Sequence, residues 1–341
     1  MEYIIFGIGL LITLLVVYDM TFTILSPKGA GTIADRTTRA IWRAILALSG
    51  KNGRSKVLTY AGPLILLAIV LTWIILLWIG NTMIILSDAT SLWSPSKESY
   101  VTDIPDKAYF IAYVLSSMGS GDFSPNGDWW MIYTGFISFT GVVFISLGIS
   151  FLIPVVEAIT LKRQVALQIH ALGTTPKKIL QNYDDDNFKK LVECLDDMEP
   201  SLIKLSQYHL AYPIIHYFHS TKHFESLPIK LVSLDEAMSI LMYKVSKNSI
   251  SDVQALRRSY GAMTYYLSTL AEAFILPGND EPKHPDTSYL TEISPEDSIH
   301  GERSDSDLVL RRKLLLAYLQ NDGWEWKDMV GINDVITLEK K

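Results

Sequence analysis

Three long apolar runs within the first 160 residues decide where this chain can fold. Residues 3–25, 57–86 and 129–159 each hold at least about twenty mostly apolar side chains, enough at about 1.5 Å per residue to cross roughly 30 Å of hydrocarbon. Backbone polar groups in lipid must be satisfied within the segment, so each run is predicted to be a transmembrane helix. A cleaved leader is the rival for the first run, but that run carries Glu2 in place of a basic n-region and lacks a small-x-small cleavage pattern. Residues 1–25 are therefore read as a peripheral membrane helix. With no Arg or Lys series, it is not a voltage sensor.

Charge sets the expected orientation. Lys28, Arg36, Arg39, Arg43, Lys51, Arg54 and Lys56 lie between the first two runs against the single acid Asp35, whereas residues 88–106 are mildly acidic. The positive-inside rule puts residues 26–56 in the cytoplasm and the amino terminus outside a cell membrane that the chain crosses several times. Lys162 and Arg163 follow the third run, so residues 161–341 form a cytoplasmic domain. Within the basic loop, Arg36, Arg39 and Arg43 recur at helical spacing opposite Ile41, Trp42, Ile45 and Leu46. That is the pattern of a helix lying in the headgroup layer, with membrane lipid as its partner. Asp19, the one acid inside the first run, is expected to pair with a basic residue of this loop or to reach water.

Within the domain of residues 57–160, residues 105–160 carry the chemistry. Pro105 and Asp106 suit the first turn of a helix, the former because its missing N–H is not needed there, the latter because it complements the helix dipole. A helix over residues 106–117 is about 18 Å long, too short to span, so it must enter the membrane and return. Its carboxyl end then offers partial negative charge to a cation. The residues Ser116, Ser117, Met118, Gly119, Ser120, Gly121 and Asp122 include two glycines one residue apart. Glycine reaches backbone conformations that let successive carbonyls face one axis, where they can replace an ion's water. Backbone oxygens of Ser117, Met118, Gly119 and Ser120 are the expected ligands.

At these positions the sequence resembles the potassium channel superfamily. The family pattern T-T-V-G-Y-G-D maps onto residues 116–122, and Pro125 follows as it often does there. The proline that opens the family's pore helix and the paired aromatics along it correspond to Pro105 and to Tyr109 and Phe110, and its gating glycine corresponds to Gly141. The resemblance implies a bacterial-type two-helix pore with a potassium filter supported by Tyr109 and Phe110. It also implies hinges at Gly141, Gly148 and Pro154, and a homotetramer whose four loops surround permeant potassium ions. The chain departs from the pattern at Ser120, where the family carries Tyr or Phe. Tyr113, one turn before Ser117, is expected to fill that space and to hydrogen-bond to Asp122. A softer filter that also admits sodium is the expected consequence.

Residues 161–341 read as a helical bundle. Helix-period apolar faces occur at residues 186–198, 201–219, 233–247, 251–275 and 307–320, after a capped helix opened by Thr175 and Pro176, and Pro213 should bend or interrupt its helix. Residues 277–307, crowded with Pro, Asp, Glu, Ser and Gly, are the expected flexible linker, and Trp324 and Trp326 are expected to dock the last segment. His216, His219 and His223, at spacings of three and four, are the candidate ligands for a transition metal. No Cys or close Asp completes that set, and packing among Tyr212, Tyr217 and Phe218 is the favoured reading. Cys194 is the single cysteine, which excludes an intrachain disulfide.

The reading is an all-α membrane protein with three transmembrane helices, a re-entrant pore helix and filter loop, and a cytoplasmic helical bundle. It has no enzymatic signature, no expected cofactor beyond permeant potassium, and no nucleic-acid partner. The alternative from another class is a nonconducting pore-fold scaffold whose cytoplasmic domain signals.

Overall fold

The computed structural model describes residues 2–27, 29–184, 186–273, 275–285, 287–290, 297–300 and 305–330. Among these the chain is helical apart from one small sheet. It divides into two units, Met1–Ala40 with Leu64–Val155 and Ile41–Pro63 with Val156–Lys341.

The first unit is built on α1 (Glu2–Leu25), α4 (Ala61–Leu86) and α6 (Asp128–Leu172), the three helices long and apolar enough to cross a membrane. The second apolar run was expected to start at residue 57. Instead α3 (Lys56–Thr59) forms a separate turn and α4 opens at Ala61, because Pro63 is tolerated only in a first turn. The third run was expected to end near residue 159, yet α6 continues to Leu172. Val165, Ala166, Ile169 and Leu172 extend an apolar stripe at helical spacing, and all four are buried. Between α4 and α6 lies α5 (Ile104–Leu115). Strands β1 (Leu92–Ser94), β2 (Ser99–Tyr100) and β3 (Ser124–Pro125) form an antiparallel sheet in the order β2-β1-β3. Leu92 opposite Pro125 ties the chain after the predicted filter to the chain after α4.

Asp19 was expected to pair with a basic residue of the first loop or to reach water. Its carboxylate is buried and meets no basic side chain among the described residues. It accepts from Ile33 N at 2.7 Å, Ala34 N at 3.1 Å and Trp73 Nε1 at 2.9 Å. The first-turn N–H groups of α2 (Thr32–Leu48) lack intrahelical partners and carry the positive end of the dipole, so they serve where a cation was expected.

The second unit contains α7 (Pro176–Asn182), α8 (Lys189–Ala211), α9 (Leu227–Lys244), α10 (Val253–Ala273), α11 (Asp305–Asn321) and α12 (Trp326–Val330). Thr175 Oγ1 caps α7 by accepting from Lys178 N at 3.2 Å. The two helices expected over residues 186–198 and 201–219 are one, α8, which runs through Pro200 and stops at Ala211. Leu191, Leu195, Met198, Leu202 and Leu205 stay on one buried stripe across the proline, and a break there would put them out of register. Pro213 then turns the chain into a 3-10 segment, Pro213–Tyr217. Helix α9 is buried on every side from Leu227 to Met242, the environment of a central helix. Its two acids are matched inside the unit, Asp235 by Arg311 and Glu236 by Arg312 at 2.7 Å. The predicted linker over residues 277–307 lies partly outside the described residues.

Candidate pore-forming site

The short helix α5 ends as its sequence requires. Ser117 N donates to Val114 O and Met118 N to Tyr113 O, both at 3.1 Å. That pair of bonds closes a helix through a left-handed residue, and Ser117 occupies that position at φ 62° where glycine is usual. The helix therefore stops at Leu115, two residues before the predicted end. Left-handed backbone recurs at Gly119 (φ 111°) and Gly121 (φ 63°), alternating with the residues between them. A chain that changes hand at each residue turns successive carbonyls toward one side, whereas a strand points them to opposite sides. Gly119 and Gly121 permit this without strain; Ser117 does so against its preference.

Of the expected supporting aromatics, Tyr109 stands beside the loop: a Cβ on Gly121 would come within 3.1 Å of the Tyr109 ring. Tyr113 packs on Tyr109 with ring centres 4.5 Å apart, and Phe123 meets Tyr109 edge-on at 6.0 Å. No hydrogen bond joins Tyr113 to Asp122 among the described residues. Phe110 is wholly buried in a core that holds Ile84, Ile85, Ile111, Val114 and Trp130 and also Phe123, the residue after the predicted filter. The cause is angular: residues four apart, such as 109 and 113, share a helix face, and residue 110 lies about 100° away.

Sequence reasoning missed the groups that fix α5 in place. Lys107 is buried, and its Nζ donates to Ile85 O at 3.0 Å, Asp88 O at 2.6 Å and Ser91 Oγ at 3.0 Å. Asp88 accepts in turn from Trp130 Nε1 at 2.8 Å. Trp78 Nε1 of α4 donates to Ala108 O at 2.8 Å, and Tyr133 of α6 donates to Asn81 of α4 at 2.8 Å. A lysine among Ala, Tyr, Phe and Ile was the available signal, since such a residue is buried only with partners.

Of the expected hinges, Gly141 has a packing reason to be glycine. A Cβ there would stand 2.1 Å from Leu115 O, so the missing side chain lets α6 approach the end of α5. Gly148 faces open space, and Pro154 lies within the uninterrupted α6.

The three candidate metal-binding histidines do not converge. His216 Nε2 meets Asn321 Oδ1 at 2.9 Å, His219 lies between Asp322 and Gly53 O, and His223 meets Asp328 O. The helix that would have aligned them ends before Pro213, and no group of three or more potential ligands occurs among the described residues.

Two comparisons find relatives. The ion channel family model matches residues 66–158, the stretch holding α5, the loop and most of their flanking helices. The uncharacterized membrane protein YdjJ of Bacillus subtilis (strain 168) is 32% identical over 328 residues, covering 95% of each chain. No solved structure matches.

Proposed function

Because the chain belongs to the ion channel family and carries that family's pore over residues 66–158, we propose that it is a homotetrameric, potassium-conducting channel of the cell membrane. Residues 116–122 form its filter, with its amino terminus outside. The helical domain is cytoplasmic and modulates opening or assembly. The observation that carries this reading is the alternating backbone hand at Ser117, Gly119 and Gly121, directly after a 12-residue helix that lies between two membrane-length helices. Backbone oxygens of Ser117, Met118, Gly119 and Ser120 replace the ion's hydration shell, and the carboxyl end of α5 adds partial negative charge. Ser120 cannot brace the loop, and Tyr109 beside Gly121 is the ring placed to do so. Selectivity for potassium over sodium is accordingly relaxed.

Full-length protein in liposomes should pass potassium, with sodium measurably permeant, and Gly119→Asp or Gly121→Asp should abolish the flux. Ser120 also favours the competing reading, a nonconducting scaffold with a retained pore fold. Native flux no greater than that of the Gly119→Asp variant would decide for the scaffold.

A further inference from the structure

A cavity of about 970 Å3 opens in the helical domain between the carboxyl end of α9, one face of α10 and α11. That volume lies at the upper end of the roughly 300–1,000 Å3 usual for small-molecule sites. Arg257, Gly261, Thr264 and Ser268 succeed one another at helical spacing and form one wall. In the middle of this wall, whose residues are exposed, Gly261 leaves a shallow trough open to solvent: a Cβ there would meet nothing within 4 Å. Glycine weakens a helix interior relative to alanine, and no contact inside the described chain needs the space.

Aromatic side chains also line the cavity. Tyr243 and His300 stack at 4.8 Å with 23° between planes, and Tyr260 lies 5.8 Å from His300. Arg311 lies over Tyr260 at 4.2 Å, fixed by Asp235 and Thr264, so its charge is already matched. Arg257 is different. It donates to Ile299 O at 3.3 Å, forms no ion pair among the described residues, and stands at one end of the trough. Asp307 is the one acid among the described lining residues and opposes a second negative charge.

We propose that this cavity binds a flat aromatic molecule bearing a single negative charge, its ring laid over Gly261 and its anionic group on Arg257. The inference goes beyond the pore and holds whether or not the pore conducts.

Calorimetric titration of the full-length protein in detergent tests it, with indole-3-acetate and anthranilate as probes. At least one should bind with a Kd on the order of a millimolar or tighter, and indole and acetate, which each carry half of the chemistry, should bind at least about tenfold more weakly. Gly261→Trp should abolish binding by filling the trough. Arg257→Gln, a change at an exposed side chain, should weaken the bound anion about tenfold and leave indole unchanged. Gly261→Leu serves in place of the tryptophan variant if the latter does not fold. Binding of neither probe, equal binding of indole and indole-3-acetate, or undiminished binding in the Gly261 and Arg257 variants would each overturn the assignment.

Discussion

Lys107 buries a positive charge in the first turn of α5, and its surroundings explain how that is tolerated. Its three N–H groups are all taken by oxygens, and the nearby Asp88 carboxylate, itself held by Trp130 and Thr90, supplies the opposite charge. Lys107→Met would leave those oxygens without a donor and should destabilise the protein by about 2–4 kcal/mol. The denaturation midpoint in detergent measures the loss. If the tie also positions the loop, potassium-to-sodium discrimination falls with it, and unchanged discrimination would confine Lys107 to stability. Asp19 makes a parallel case at the other side of the unit. Asp19→Ala removes the cap of α2 and the acceptor of Trp73 and should lower stability by about 1–2 kcal/mol, with Asp19→Asn falling between, as thermal melting would show.

At the level of elements, membrane crossing was legible because a run of twenty apolar residues has few other homes. Boundaries were less so. Pro200 and Pro213 are the same residue type thirteen positions apart, and only burial of Leu202 and Leu205 on the stripe of Leu195 explains why the helix survives the first. The loop glycines were readable from chain-local conformational preference. The partners of Lys107 and Asp19 were not, because they lie distant in sequence. The turn after α8 depends on such partners too. His219 Nδ1 lies 3.0 Å from Asp322 and its Nε2 2.7 Å from Gly53 O; both partners only accept, an arrangement that favours the protonated ring. Burial alone disfavours that charge, but Asp322 and Gly53 outweigh it and hold His219 above its usual pKa of 6.5. Burial likewise opposes the Asp322 carboxylate, yet His219 and then Lys162 hold it below 3.8. The stabilisation from His219 is complete below about pH 6.5 and fades as pH rises through the raised value, whereas that from Asp322 is complete above about 3.8 and fades as pH falls through the depressed one. His216, pushed down to about 4 by burial and then by Lys162, resists protonation, so stability falls as pH drops from 6.5 toward 4. Melting temperatures of native protein and His219→Gln should therefore converge as pH rises above about 6.5, and a gap that stays constant to about pH 9 would exclude the charged pair.

For the whole molecule, one chain offers one candidate filter loop, which leaves Met118 exposed and cannot by itself enclose an ion. Along α6, Ile132, Phe136 and Phe139 are also exposed, apolar surface that either lipid or further copies must cover. Closed cyclic symmetry meets both needs, because repeating the chain about one axis brings several loops together and buries the same face of each copy. A mixing experiment counts the copies. Gly121→Asp places a side chain where φ is 63° and Tyr109 is within 3.1 Å, so a subunit carrying it contributes a defective loop. If one defective loop blocks an assembly, an equal mixture of native and Gly121→Asp chains reconstituted together should retain about one sixteenth of the native potassium flux for a tetramer, against about one quarter for a dimer and one half for independent chains. Native mass spectrometry of the same preparation should show four-chain particles of mixed composition. Flux near one half from particles that do contain both chains would mean that each chain conducts alone, and the shared filter would have to be abandoned.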